Sequence, residues 1–213
     1  MDKIILASQS PRRRELLTQI GLPFQVIPSS VEEVITETDP GLVVQQLSRQ
    51  KAENVAESVL RDRKGGGQLE KNAGQEENSR EGILVIGADT VVSYQGQILG
   101  KPADADDAFR MLSMLQGKAH SVFTGVTLIR KGPQEEWQVT FAEETRVYMY
   151  PMSEEEIRWY VKTGEPMDKA GAYGIQGLCA RFVEKTEGDY NNVVGLPVGR
   201  IWQELKNRKV QTD

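Results

Sequence analysis

Two serine hydroxyls and a run of three arginines crowd the first turn of the chain, where they could bind an anion. Ser8 and Ser10 follow a short apolar run, and Arg12–Arg14 come directly after Pro11. Ser10 and Pro11 are typical of a helix N-cap and of the first helical residue. A helix N-terminus carries unpaired N–H groups and the positive end of the helix dipole, and both favour an anion. Serines that only cap the helix and arginines that are only solvated explain the same pattern.

Two glycine-rich polar segments in the last third of the chain could bring the backbone close to a ligand. The first is Met167–Gly177, which combines small residues with an acid, a cation, a ring and an amide, and the second is Gly188–Pro197. Glycine lets the backbone pass close to a bound molecule. One such segment would be explained equally well as a surface loop, but two of them favour a binding site.

The chemistry of the chain must be carried out by carboxylates, lysines and arginines. A single histidine, His120, excludes a histidine-rich metal site, and we expect it to be structural. The lone Cys179 cannot form an internal disulfide and is expected to be a small buried side chain. The chain has 31 aspartate and glutamate residues, whose carboxylates are oxygen ligands. Oxygen ligands of this kind favour magnesium or manganese over zinc.

Length and charge restrict the class of protein. A chain of 213 residues is long enough for one domain, residues 1–213, with a full core. Its net charge of -5 argues against a general nucleic-acid-binding protein. The sequence has neither a signal-peptide pattern nor an apolar run of membrane-spanning length, so we expect a cytoplasmic protein without membrane contact. Residues 63–82 are polar and glycine-rich, which predicts an exposed, flexible insertion without an assigned function.

Alternating strand and helix patterns predict the elements that position these residues. A buried strand at Ile4–Leu6 precedes the first helix, and Asp39 with Pro40 begins a long helix that carries Lys51. The apolar run Ile83–Ala88 stops at Asp89, as expected for a central strand that delivers an acid to the edge of a sheet.

The rest of the chain adds shorter signals. Ser153 and Glu156 form a capping box at the start of a short helix. Further expected elements are a strand at Phe24–Ile27, a returning strand at Ile98–Leu99, a helix at Asp104–Leu115, a hairpin of Ser121–Ile129 with Trp137–Met149, and a final helix with Ile201 and Leu205.

Ordered motifs along nearly the whole chain resemble the Maf family of nucleoside triphosphate pyrophosphatases. The most specific is D-K-A-G-A-Y-G-I-Q-G at Asp168–Gly177. The others are S-x-S-P-R-R at Ser8–Arg13, the acidic pair Glu32 and Glu33, the helical Lys51, A-D-T at Ala88–Thr90, G-K-P at Gly100–Pro102 and G-L-P at Gly195–Pro197.

The resemblance implies both a fold and a reaction. The fold is an α/β domain with an elongated mixed sheet flanked by helices, in two lobes around a central cleft, similar to inosine triphosphatases. The reaction is hydrolysis between the α- and β-phosphates to a nucleoside monophosphate and pyrophosphate. The block at Asp168–Gly177 resembles the branch that acts on dTTP and UTP rather than the branch that acts on 7-methyl-GTP.

The same resemblance implies roles for individual residues. Asp89 corresponds to the proton acceptor, and Arg12, Thr90 and Gln176 correspond to positions linked to base specificity. Glu33 and Asp89 are the pair that we expect to hold a metal ion or activate water, and which of them does which stays open. Glu32 could be a solvated neighbour, and Thr90 could only shape its turn.

The charges of the candidate residues suit a triphosphate, which brings about four negative charges. Five cations on separate elements could converge on it, and Ser8, Ser10 and Asp168 complete the expected binding residues. These cations are Arg12, Arg13, Lys51, Lys101 and Lys169. We place Lys51 and Lys101 with Asp89 and Glu33 in the catalytic group.

Other functions stay open at this stage. The protein could prefer modified pyrimidine nucleotides, and its cellular role could be cleansing of the nucleotide pool or arrest of cell division. From a different class, it could be a nucleotide-binding regulator of septum formation without turnover. A homodimer is expected from the family.

Overall fold

The structure is a computed structural model that describes residues 2–65, 82–133 and 135–210. Its described residues form one mixed sheet with helices on both faces. The strands are β1 (Lys3–Leu6), β2 (Gln25–Val26), β3 (Ile83–Tyr94), β4 (Gln97–Leu99), β5 (Ala119–Lys131), β6 (Trp137–Met149) and β7 (Val183–Glu187). The helices are α1 (Pro11–Gln19), α2 (Pro40–Gly65), α3 (Ala105–Leu115), α4 (Glu154–Lys162), α5 (Tyr190–Val194) and α6 (Val198–Asn207), with short 3₁₀ turns between residues 165 and 182.

The sheet has the strand order β2-β1-β3-β5-β6-β7, and β4 pairs with β3. β1 is parallel to both of its neighbours, whereas β3, β5, β6 and β7 form an antiparallel run. The predicted mixed sheet flanked by helices is therefore confirmed. No helix among the described residues combines the length and the apolar character that a membrane crossing requires.

Alternate residues of the central strands enter two separate cores. Ile4 and Leu6 pack into the larger core, whereas Ile5 and Ala7 pack into a smaller one beneath α2. This follows from the period of two along a strand, which sends successive side chains to opposite faces of the sheet. The apolar runs of β1 and β3 are continuous because both faces of these strands are covered.

Several local predictions are confirmed. Ser10 caps α1 and accepts a hydrogen bond from the Arg13 N–H, with Pro11 as the first helical residue. The capping box of α4 is present, since Ser153 and Glu156 bond each other's backbone N–H groups. The long antiparallel hairpin is formed by β5 and β6.

One expectation about the end of an element is wrong. β3 does not stop at Asp89 but continues to Tyr94, because β5 pairs with it along one whole edge from Ile83 to Ser93. Asp89 thus lies in the middle of a strand, opposite Gly125. α2 continues to Gly65, so residues 63–65 of the predicted insertion at 63–82 are helical, and the insertion itself stays a prediction. Residues 66–81 of that insertion lie outside the described residues.

Candidate active site

A cleft opens where one edge of β3 has no strand beside it among the described residues. β1 pairs with β3 only as far as Ile86, and β4 begins to pair at Val92. Beside this gap, residues 89–92 of β3 line a cavity of about 840 Å³. The candidate residues all lie on its wall, namely Ser8, Ser10, Arg12, Arg13, Glu33, Lys51, Asp89, Thr90, Lys101, Asp168, Lys169 and Gln176. Glu32, for which a role as a solvated neighbour was left open, is exposed and does not line the cavity.

The Arg13 guanidinium is fixed by three oxygen acceptors from separate elements. Its Nε donates to the Gly195 carbonyl at 2.8 Å, one Nη to Ser8 Oγ at 3.2 Å and the other to Thr90 Oγ1 at 3.0 Å. Burial is the main cause that lowers the pKa of Arg13, partly offset by the negative charge of Asp89. Because arginine carries five N–H donors, two remain for a phosphate group.

Hydroxyl groups behind Arg13 form a relay whose direction is fixed. Thr124 Oγ1 donates its only proton to the Asn192 carbonyl at 2.9 Å. The 2.9 Å bond between Thr90 and Thr124 must therefore be donated by Thr90. Since Thr90 also accepts from Arg13, its remaining capacity towards a ligand is as an acceptor only.

Ser8 has the opposite hydrogen-bonding capacity from Thr90, because it can donate to a ligand. Its Oγ accepts from the Ser10 N–H at 3.2 Å and from Arg13 at 3.2 Å, so its lone pairs are occupied. Its own O–H is then free to donate to a phosphate oxygen. The first turn thus presents a hydroxyl donor and a buried guanidinium side by side, which supports the anion-site interpretation over capping alone.

Lys51 lies between the two carboxylates that we proposed as metal ligand or base. Its Nζ is 2.5 Å from Asp89 Oδ1 and 2.9 Å from Glu33 Oε1. The Lys51 and Asp89 side chains are each 15% exposed, whereas that of Glu33 is 45% exposed. Asp89 Oδ2 has no hydrogen-bond partner within the described chain and can accept a proton from a water molecule.

Two glycines let α2 approach the sheet closely enough for Lys51 to reach Asp89. A Cβ on Gly87 would lie 2.4 Å from the Ser48 carbonyl oxygen of α2. A Cβ on Gly125 would lie 2.2 Å from the Val44 carbonyl oxygen. Both positions therefore require glycine because helix and strand backbones are in contact there.

The segment from 165 to 177 forms the opposite wall and holds its charged residues in mutual contact. Lys169 Nζ donates to Asp168 Oδ1 at 2.6 Å and to the Glu165 carbonyl at 2.7 Å. The Lys169 hydrogen bond is the main cause that lowers the pKa of Asp168, and Arg12, 3.6 Å away, adds to it. Lys101 and Gln176 also face the cavity and make no hydrogen bond with the described residues.

The sequence analysis missed the residues that position the side chains lining the cavity. Glu165 accepts hydrogen bonds from Tyr160 Oη at 2.7 Å and from the Leu178 N–H at 2.9 Å, which anchors both ends of the glycine-rich turn. Thr124 and Asn192 are fully buried behind Thr90. The sequence offered no distinct signal for Thr124, because β5 also carries the buried polar residues His120 and Thr127.

His120 and Cys179 are both buried, as expected of structural residues. His120 Nε2 is 2.7 Å from Tyr173 Oη, while its Nδ1 has no partner among the described residues. Burial lowers the pKa of His120 to about 4, so the imidazole is neutral at physiological pH. Burial also raises the pKa of the Cys179 thiol to about 12, which keeps it protonated and unreactive.

The fold and the cleft together define a phosphate-handling α/β protein, since one cavity combines helix-N-terminal donors, several cations and a carboxylate pair. Comparison with known proteins specifies the family. The family model described as Maf-like protein matches residues 3–208, and the chain belongs to this family.

Curated relatives match almost the whole chain. A protein of Agathobacter rectalis named dTTP/UTP pyrophosphatase is 55% identical over 209 residues, which cover 97% of each chain. A protein of Carboxydothermus hydrogenoformans with the same name is 47% identical over 204 residues, covering 96% of this chain and 97% of its own. A third, from Bacillus cytotoxicus, is 47% identical over 207 residues, covering 97% of this chain and 95% of its own.

Proposed function

We propose that this protein hydrolyses dTTP and UTP between the α- and β-phosphates, giving a nucleoside monophosphate and pyrophosphate. The observation that carries the proposal is the position of Asp89, whose carboxylate lies beside Lys51 in a cavity lined by phosphate-binding groups. The names of the relatives, all dTTP/UTP pyrophosphatases, support the same reaction.

The first turn and the rim cations would bind the triphosphate. Ser8 offers its O–H, and Arg13 offers its two remaining N–H donors from a fixed guanidinium. Lys101 and Arg12 add positive charge at the more exposed part of the cavity. Donors that are positioned before the substrate arrives stabilise the charge that develops on the phosphates at no cost in reorganisation.

Asp89 would accept the proton of the attacking water. The water oxygen forms the new bond to phosphorus, the bond from phosphorus to the bridging oxygen breaks, and the water proton passes to Asp89 Oδ2. Lys51 holds the other carboxylate oxygen and orients Asp89 towards the water.

Glu33 and Asp89 suit a divalent cation such as magnesium or manganese. Both carboxylates contact the Lys51 ammonium group, so their oxygens already lie together around one positive charge. No cluster of three or more acidic, histidine or cysteine residues occurs in the described ranges. Such an ion would share its coordination with water and substrate phosphates, as magnesium commonly does. When bound, it would neutralise phosphate charge and lower the pKa of a coordinated water.

Gln176 is our candidate for recognition of uracil and thymine. Both bases present an N–H donor next to carbonyl acceptors, and a primary amide can pair with one of each. Thr90 can assist only by accepting from the base N–H, because its own proton is used in the bond to Thr124. Cytosine lacks that N–H, so this arrangement favours dTTP and UTP over CTP.

The test is release of pyrophosphate from dTTP, UTP, CTP, dATP, GTP and 7-methyl-GTP with magnesium or manganese, alongside Asp89→Asn. We expect turnover of dTTP and UTP with the monophosphate as co-product, and its loss in the variant. Turnover of 7-methyl-GTP instead would contradict the base assignment and leave the reaction in place. Nucleotide binding without any turnover would favour the alternative, a regulator of septum formation. The cytoplasmic location, the homodimer and the role in pool cleansing or division arrest stay predictions.

A further inference from the structure

Residues 28–38, which we name the strap, connect β2 to α2 without forming a helix or a strand. The strap carries Glu33 to Lys51, yet residues 32–38 are all exposed. Its apolar side chains do not hold it down, since Val34 is 56% exposed and Ile35 is 57% exposed. Something other than hydrophobic burial must therefore keep Glu33 in place.

Three side-chain amides of α2 provide that attachment. Gln46, Gln50 and Asn54 are spaced four residues apart, which places them on one face of the helix. Gln46 accepts from the Thr36 N–H at 3.0 Å and donates to Thr36 Oγ1 at 2.9 Å. Asn54 accepts from the Ser30 N–H at 3.3 Å. The amides replace the backbone partner that a neighbouring strand would supply.

Gln50 makes the attachment nearest to Glu33. Its Oε1 accepts from the Val34 N–H at 3.0 Å, and its Nε2 donates to the Val34 carbonyl at 2.6 Å. Gln50 precedes Lys51 on the helix, and Val34 follows Glu33 on the strap. One helical turn therefore holds the strap backbone through Gln50 and the Glu33 carboxylate through Lys51.

We propose that Gln50 is a positioning residue for Glu33, which it keeps against Lys51 through the two hydrogen bonds to Val34. The inference rests on the proposed function, in which Glu33 takes part in hydrolysis. The ion pair of a half-exposed glutamate alone holds a flexible segment poorly, because solvent screens it and its side chains lose entropy. Two backbone hydrogen bonds to one amide restrict the segment where the ion pair does not.

The decisive experiment is a double-mutant cycle between Gln50→Met and Glu33→Gln, measured as kcat/KM for dTTP and UTP. Methionine keeps the length and helix propensity of glutamine but makes neither bond. Gln45→Met is the matched control, because Gln45 lies on the same helix and its amide donates only to the Gly41 carbonyl within it. Hydrogen exchange of the peptide containing residues 28–38 reports the attachment independently of activity.

We expect Gln50→Met to lower kcat/KM about tenfold, the size that corresponds to loss of one or two neutral hydrogen bonds. In the Glu33→Gln background the same change should have no further effect, since the group that it positions is already gone. Exchange in the strap should accelerate in Gln50→Met and not in Gln45→Met.

Three outcomes would overturn the inference. These are unchanged exchange in the strap, unchanged kcat/KM in Gln50→Met, or an equal loss in the Glu33→Gln background. Absence of turnover in the unmodified protein would instead overturn the proposed function, and the exchange experiment would still decide whether Gln50 holds the strap.

Discussion

The two walls of the cleft are built in different ways. The sheet wall, formed by the start of α1 and by residues 87–92 of β3, holds Arg13 on a helix and Asp89 on a strand that pairs with β5. The loop wall, formed by the strap and by residues 165–177, holds Glu33 and Gln176 at exposed positions of irregular segments, and side-chain hydrogen bonds help to attach both segments. Rigid elements suit groups that must meet the reacting atoms with little error, and loops suit groups that select among ligands.

Each wall can be tested with the same chemical change on either side of Lys51. Asp89→Asn should lower kcat by about 10³-fold, because it removes the proton acceptor and leaves Lys51 with a neutral partner. Glu33→Gln should cost about 10- to 100-fold, the range for a residue that supports the reacting groups. Steady-state kinetics of both variants gives the comparison. Equal losses would mean that the loop wall contributes as much to the chemistry as the sheet wall.

Two glycines, one behind the sheet wall and one in the loop wall, allow effects on stability to be compared with effects on selectivity. Gly125 faces Asp89 in the sheet, and a methyl group there would overlap the Val44 carbonyl. Gly125→Ala should therefore lower the free energy of unfolding by about 3 kcal/mol, the upper range for overpacking. A methyl group on Gly177 would lie 2.2 Å from Glu165 Oε1, which belongs to a side chain that can move.

Gly177→Ala should accordingly lose about 1 kcal/mol of stability, as expected when the hydrogen bonds of Glu165 weaken. Its effect should be on selection between UTP and CTP, since Glu165 anchors the turn that presents Gln176. Urea denaturation and the ratio of kcat/KM values for the two nucleotides measure these effects. A large loss of stability in Gly177→Ala with unchanged selectivity would contradict the division between the walls.

Local signals in the sequence were enough to predict the elements of the sheet wall. Ser10 before Pro11 predicted the start of α1, and the apolar run from Ile83 predicted a buried central strand. The predicted end of this strand was wrong because the strand's length depends on β5, whose pairing extends beyond Asp89. The residues next to Asp89 in the sequence do not indicate that β5 pairs with the strand there.

The attachments of the loop wall were not predictable from the sequence in the same way. Gln46, Gln50 and Asn54 have the spacing of one helix face, but the same spacing describes an ordinary solvated face. Glu165 and Leu178 are separated by thirteen residues, and their bond follows only from the turn between them. The candidate residues came from motifs, whereas the residues that hold them depend on contacts that only the fold creates.

The buried contact between His120 and Tyr173 leads us to expect a pH dependence of stability. His120 on β5 contacts Tyr173 of the loop wall, and burial lowers the pKa of His120 to about 4, against about 6.5 in the unfolded chain. Between these values the unfolded state takes up a proton that the folded state excludes. The free energy of unfolding should therefore fall by about 3 kcal/mol as the pH falls from 6.5 to 4.

Urea denaturation across this range, compared with His120→Gln, measures the effect. The variant cannot titrate there and should lack this part of the slope. The Asp168 carboxyl does not interfere, because its lowered pKa places its own contribution below the usual aspartate range. An identical slope in both proteins would show that His120 is protonated without resistance in the folded state.

The smallest predicted effect concerns the relay behind Arg13. Thr124 is fully buried and does not line the cavity, so it can influence catalysis only through Thr90 and Asn192. Thr124→Val keeps the shape of the side chain but leaves the Thr90 proton without its acceptor. Thr90 must then turn its hydroxyl, which disturbs the bond that it accepts from Arg13. We expect a loss of about 1 kcal/mol of stability and a roughly fivefold lower kcat/KM, with the ratio of dTTP to UTP unchanged.

Thr127→Val is the matched control for this change. Thr127 lies on the same strand, is equally buried, and its hydroxyl contacts Ser48 and Thr140 instead of the site. Its loss of stability should be similar, but its kcat/KM should not change. If Thr124→Val also left kcat/KM unchanged while Thr90→Val lowered it, Thr90 would act on the substrate directly. In that case the bonds to Ser8 and Gly195 would be enough to position the Arg13 guanidinium, and the buried hydroxyl behind Thr90 would contribute only to stability.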